Sequence, residues 1–253
     1  MAKNDWEGKF GISYDALVDL ILGRENGKQS WLGPHIVADE MPGFRIDIPH
    51  RTSPDVQFDV IFNWAGERKD VRLANVNVTH ASKSKGLGGS ILLHTIKAAL
   101  QLKCDRILVK PNKMGSYYWP RHGAIVLEWP ENSQFDKHFK QLTETPDKYI
   151  PHWVDKDVQW LKKIYADKNP RQLSTLAASD LTVGKIRVGQ YILQNIALGL
   201  CVFDLNDDWT KQRLREKLGF DVDAFRAGSG DAGIDRSMIS GTKRQAAVKT
   251  AES

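Results

Sequence analysis

The segment from Val78 to Ser90 contains His80, Lys83, Ser84, Lys85, Gly86, Gly88 and Gly89, directly ahead of a run with helical apolar spacing. A glycine-rich turn entering a helix brings several backbone N–H groups and the positive end of the helix dipole to one place, an arrangement that holds phosphate. Glycines at 86, 88 and 89 let the backbone approach an anion with no Cβ in the way. Lys83 and Lys85 supply counter-charge, and His80 has a side chain whose ordinary pKa suits proton transfer. The same residues also describe a solvated loop with two lysines before an ordinary helix start.

Two better-known phosphate loops do not fit. A GxGxxG fingerprint from Gly86 would need glycine where Ile91 stands, and no glycine opens a GxxxxGK[ST] loop; Gly241, Thr242 and Lys243 come in the wrong order. A second chemical group lies downstream: Asn112, then Tyr117, Tyr118 and Trp119, then Arg121 and His122. Phenols and imidazoles donate and accept protons, and aromatic side chains in a row equally well pack a core. Asp59 falls in an alternating run that leaves both faces open to it, while Glu67 and Asp70 read as turn residues. Cys104 and Cys201 belong to no CxxC or Cys/His cluster, so neither a disulfide framework nor a metal site is expected, and a reducing compartment fits.

The distribution of charge points the same way. At 253 residues, 41% hydrophobic and 26% charged, the chain is neither disordered nor fibrous, and it is long enough for one large domain with an appendage. Its net charge of +5 is not spread evenly: residues 72–125 carry nine basic residues against one acidic, residues 1–71 are net acidic, and residues 126–226 are balanced. One basic block in an otherwise balanced chain implies an anionic partner, either a phosphorylated small molecule or nucleic acid. Lys83, Lys85, Lys110 and Lys113 adjoin the candidate residues; Lys97, Lys103, Arg106 and Arg121 are left over.

Positioning these residues requires a set of elements that the periodicity supplies. Tyr14 to Leu22 has helical spacing, with Ser13 as N-cap and Gly23 as stop. Residues 24–55 predict loops with one strand near Phe44 to Ile48. Val56 to Phe62 and Val71 to Val78 are β-rich runs around a turn containing Gly66, an antiparallel hairpin. Gly88 to Lys103 is the clearest helix; Arg106 to Val109 and Ala124 to Trp129 predict strands, closed by Pro111 and Pro130, with a short helix between them. The outcome is an α/β (α+β) fold. Beyond Pro130, helices are expected over Phe135 to Leu142, Asp155 to Tyr165, Leu173 to Ala178, Lys185 to Phe203 and Trp209 to Leu218.

The loop and its surroundings resemble the acyl-CoA-binding region of the GNAT superfamily of N-acyltransferases. That family has a strand ending in valine, then [Q/R]-x-x-G-x-[G/A] opening a helix; Lys83, Ser84, Lys85, Gly86, Leu87 and Gly88 follow this pattern with lysine first. Downstream the family has Asn-x-x-Ala, an aromatic pair, three residues and Gly-Phe, and Asn112 to Gly115, Tyr118 and Trp119, and Gly123 and Ala124 follow suit. The resemblance spans residues 56–129. It implies a mixed, mostly antiparallel sheet with flanking helices, Val76 and Val78 pairing with the pantetheine arm, Lys83 to Gly89 on the pyrophosphate, and Asn112 at the thiol half of acetyl-CoA or another acyl-CoA. In the family the second aromatic is often a tyrosine that protonates the departing thiolate. Trp119 stands there, and an indole N–H cannot do this at physiological pH, so the part is expected of Tyr118, with the adjacent Tyr117 also within reach if Pro120 distorts the helix, and His80 is the candidate base.

Three functional expectations follow. The first is a CoA-dependent N-acyltransferase acting on an amine of a small molecule, protein or nucleic acid. A second is a nucleic-acid binder whose Tyr117, Tyr118 and Trp119 stack bases, and a third is a GNAT-like interaction module without catalysis. The organisation expected is a domain over 1–130, a helical appendage over 131–226 and a flexible tail over 227–253. No segment reads as a membrane span, since Tyr191 to Phe203 is too short and interrupted, and the polar start argues for a cytoplasmic protein.

Overall fold

The structure, a computed structural model, describes residues 11–22, 36–40, 43–48, 56–65, 68–78 and 87–228. Contacts divide the chain into two compact units, one of Met1–Ile107 with Leu214–Ser253 and one of Leu108–Arg213. Residues 108–130 and 131–213 thus fall in one unit, so the change of texture at residue 130 is not where the contacts divide.

In the first unit, α1 (Tyr14–Leu22) begins where expected, with the Ala16 N–H donating to Ser13 Oγ at 3.2 Å, and it buries Leu17, Val18 and Ile21. Four strands follow, β1 (Ile36–Glu40), β2 (Gly43–Ile48), β3 (Val56–Ala65) and β4 (Arg68–Val78), each antiparallel to the next. The expectation of a single strand in residues 24–55 is corrected: β1 pairs with β2, from Ile36 opposite Asp47 to Glu40 opposite Gly43. Phe58, Val60 and Phe62 on β3 and Val71 and Leu73 on β4 are all buried. They share one face of the sheet, and burying five such side chains contributes about 1.5 to 3 kcal/mol each. Helix α2 (Leu87–Gln101) packs against β4 and against α1, and β5 (Arg106–Val109) lies next to β4 in the strand order.

The second unit is built around short elements. Helix α3 (Gly115–Arg121) is followed by β6 (Ile125–Val126), far shorter than the strand expected over Ala124 to Trp129. Helix α4 (Ser133–Glu144) starts on Asn132, whose side chain accepts from the Gln134 and Phe135 N–H groups. Then come α5 (Pro146–Tyr149), α6 (Asp155–Asp167) and α7 (Pro170–Ala178), the last with an Asn169 cap and proline in its first turn. Phe135, Phe139, Trp129 and Tyr165 form an aromatic cluster between α4 and α6, with the Tyr165 hydroxyl donating to Asp136.

The helix expected from Lys185 to Phe203 is the largest correction. That stretch instead contains β8 (Ile186–Arg187), paired antiparallel with β7 (Thr182–Val183), then α8 (Val188–Leu193) and β9 (Cys201–Asp204), paired antiparallel with β6. Asn195, at φ +70°, ends the helical run in a left-handed conformation that asparagine tolerates, and the β-branched and aromatic Cys201-Val202-Phe203 run prefers a strand. The segment after residue 130 is therefore mixed rather than purely helical. Helix α9 (Asp208–Leu218) and α10 (Val222–Arg226) complete the described chain, with Arg226 Nη2 donating to Asp105 at 2.6 Å within the first unit. Among the described residues no helix is long and apolar enough to cross a membrane.

Candidate functional site

In the first unit, candidate residues lie at the end of β4 and at the start of α2. Gln57 stands opposite Asn77 and Asp59 opposite Ala74, so two residues of β4, Asn75 and Val76, face the single residue Phe58 on β3. This is a β-bulge. It leaves a backbone group outside the ladder, bends the strand, and is a frequent way of re-aiming a chain beside an active site. The sequence carried the signal: apolar residues at 71 and 73 continue at 76 and 78, a slip of one position in a period of two. Val76 is half-buried.

Helix α2 begins at Leu87, so Gly88, Gly89 and Ser90 lie in its first turn, which contains no acidic residue. The first four N–H groups of a helix have no partner within it, and an anion placed there gains about 0.3 to 1 kcal/mol from the dipole when exposed. Leu87 and Gly89 are buried and Gly88 is half-buried. His80, Lys83, Ser84, Lys85 and Gly86 lie outside the described residues, as does the side chain of Val78. Asp59 is 1% exposed on the sheet face opposite Phe58 and Val60, in register with Asp47 on β2.

In the second unit, candidate residues lie in the turn from Asn112 into α3. Asn112 is exposed, and its carbonyl accepts from the Gly115 N–H at 2.9 Å. Lys113 adopts φ +49°, and its carbonyl accepts from Asn195 N–H at 3.2 Å. Ser116 is fully buried and its hydroxyl donates to the Ile196 carbonyl, so the start of α3 is tied to the loop after α8. Of the three aromatics, Trp119 is 7% exposed and meets Phe203 edge to face, and its indole touches Gly115 so closely that a Cβ there would lie 3.2 Å from Nε1. Tyr117 is buried beneath the Arg121 guanidinium, 5.7 Å from its ring centroid. Neither offers a face to a nucleobase. Tyr118 alone is half-buried, stacked on His122, and burial pushes its phenol well above the ordinary range, so it holds its proton throughout the neutral region.

No family model and no curated protein matches this chain. Cys104 and Cys201 are buried thiols outside any disulfide, and burial, with the Glu128 charge second, pushes the Cys201 thiol up to about 12. That thiol stays protonated at neutral pH and is not a nucleophile. Arg121 is spent on structure: Nη1 donates to the Ala177 carbonyl at 3.4 Å and Nη2 lies 3.8 Å from Asp180. Lys97 is buried in α2. Lys97 and Arg121 thus belong to the interior, which shrinks the charge available for a polyanion. Among the described residues of the aromatic run, Tyr118 is the half-buried one, and its phenol keeps its proton at neutral pH.

Proposed function

We propose that this chain is a CoA-dependent N-acyltransferase of GNAT type, binding acetyl-CoA or another acyl-CoA and passing the acyl group to an amine. The supporting observation is the start of α2: a first turn of Leu87, Gly88, Gly89 and Ser90 without an acid, reached from a strand that bulges at Asn75 and Val76. Lys83, Ser84, Lys85, Gly86 and the N–H groups up to Gly89 would hold the pyrophosphate, Val76 and Val78 the pantetheine amides, and Asn112 the thiol half. Bound acyl-CoA supplies a thioester, an acyl group already activated for transfer. An N–H turned out of the ladder at the bulge would be suited to polarise an acyl carbonyl, since a fixed donor strengthens as negative charge grows on the oxygen. Tyr118 would furnish the proton that a leaving thiolate needs, and His80 would take one from the amine.

Titration calorimetry with acetyl-CoA tests this. Gly86→Glu places a carboxylate and a Cβ where the pyrophosphate would lie, and loss of binding with an unchanged circular dichroism spectrum is the expected result. Affinity equal to that of the parent chain would sink the proposal.

A further inference from the structure

Tyr118 and His122 sit one helical turn apart at the end of α3. The imidazole lies over the phenol ring with centroids 4.0 Å apart and planes 27° from parallel. Nδ1 of His122 is 2.8 Å from the Tyr118 carbonyl oxygen, and the His122 backbone N–H reaches the same oxygen at 3.2 Å. A carbonyl only accepts, so Nδ1 carries a proton and donates. One acceptor therefore fixes the backbone and the ring of His122 together.

The chain on the far side is equally constrained. Gly123 has φ +114°, and a Cβ there would lie 3.2 Å from both Arg213 Cβ and the Thr210 carbonyl oxygen. Its own carbonyl accepts from Thr210 Oγ1 at 2.9 Å. His122 thus stands between a helix end and a turn that admits little besides glycine. Trp119 meets the Tyr118 ring edge to face, with centroids 4.8 Å apart. Tyr118 is held between a stacked ring and an edge.

From this geometry we infer that His122 is a positioning residue whose ring clamps the Tyr118 phenol in one orientation. Its role is not proton relay. Near-parallel stacking sets ring over ring, whereas a relay needs an in-plane nitrogen lone pair aimed at the hydroxyl. The catalytic consequence rests on the reading of Tyr118 as the proton donor; the clamp does not, and it can be measured separately.

The test uses the full-length protein with carbon-13-labelled tyrosine, the Tyr118 ring signals being assigned with Tyr118→Phe. In the parent chain these signals should be displaced upfield by the stacked imidazole. His122→Ala should move them downfield, leaving only the displacement due to Trp119, and His122→Phe, which keeps a flat ring but no Nδ1, should keep the displacement. Thiol release from acetyl-CoA, with spermidine and a lysine peptide as probe amines, is followed in parallel. A fall of about tenfold or more in kcat for His122→Ala, at unchanged acetyl-CoA affinity, with recovery in His122→Phe, supports positioning. Undisplaced Tyr118 signals in the parent chain, or a His122→Phe variant as slow as His122→Ala, overturn it. Absence of thiol release from the parent chain counts against the transferase reading, and the ring signals then decide the clamp alone.

Discussion

Gly189 and Gly88 are each the second residue of a helix, one in each unit, in opposite surroundings. A Cβ on Gly189 would lie 2.6 Å from both Ala177 Cα and the Leu176 carbonyl oxygen, so α8 can lie against α7 only without one. Gly88 stands in the first turn of α2, half-buried, behind a glycine- and lysine-rich approach. The same contrast extends to polar groups. In the second unit side chains satisfy backbone: Ser174 Oγ accepts from Val126 N–H at 3.0 Å and donates to the Ala124 carbonyl at 2.9 Å, and Ser116 donates to Ile196. In the first, β4 bulges at Asn75 and Val76, and the first turn of α2 carries no acidic side chain. Groups already bonded to their own fold are unavailable to a ligand, whereas unbonded backbone N–H groups can serve one.

Alanine at position 189 should break this contrast most severely. Gly189→Ala drives a methyl into the backbone of α7, and a loss of about 3 kcal/mol is expected in chemical unfolding, at the upper end of what overpacking costs. Next, Ser174→Ala deprives one buried donor and one buried acceptor of their partner, an expected cost of about 2 kcal/mol by the same measurement. Gly88→Ala should move the other way. An alanine within a helix gains about 0.5 to 1 kcal/mol over glycine, while acetyl-CoA affinity falls; a destabilised variant with normal affinity would assign Gly88 to the fold and erase the difference from Gly189.

The smallest effect concerns Asp221, whose carboxylate accepts from the Ala224 and Asp223 N–H groups and from Arg215. The Ala224 N–H bond foremost, with Arg215 helping, holds its pKa below the ordinary carboxylate value. A depressed pKa gives stability that is present above the unfolded value, near 4, and is lost as pH falls through the folded one. Asp221→Asn keeps an N-cap and removes the charge, so its melting temperature should depend less on acid below pH 4 than that of the parent chain.

Strong, uniform periodicity was readable in advance. The hairpin of β3 and β4, helix α2, strand β5 and the short helix α3 all stand within a few residues of where their patterns put them, because long amphipathic runs admit one period. β1 escaped notice because Ile36 to Glu40 is five residues with two acids at its end, too brief for alternation to show among the surrounding prolines and glycines. Val188 to Phe203 misled for the opposite reason: apolar residues are so dense there that helix and strand periods both fit, and Asn195 at positive φ decides between them. Within the candidate site, residues 87–89 could be placed on a helix start from spacing alone. The roles of Trp119 and Arg121 could not, because they depend on Phe203 and on Ala177 and Asp180, far away in sequence. His122 gave no sign of its partner, since an (i, i+4) pair counts only once the helix is known to reach its end there.

β6 is an outer strand of only two residues, and the hydroxyl of Ser174 occupies the backbone positions that face away from β9. A free strand edge is a template on which another chain can build, and proteins commonly blunt it with charge, proline or a covering element. Here one hydroxyl does so, acting as donor and acceptor where a further strand would have to bond. At this border the sheet cannot grow by adding a strand from a second copy without first displacing Ser174, so the side chain that completes the fold also terminates it against self-assembly.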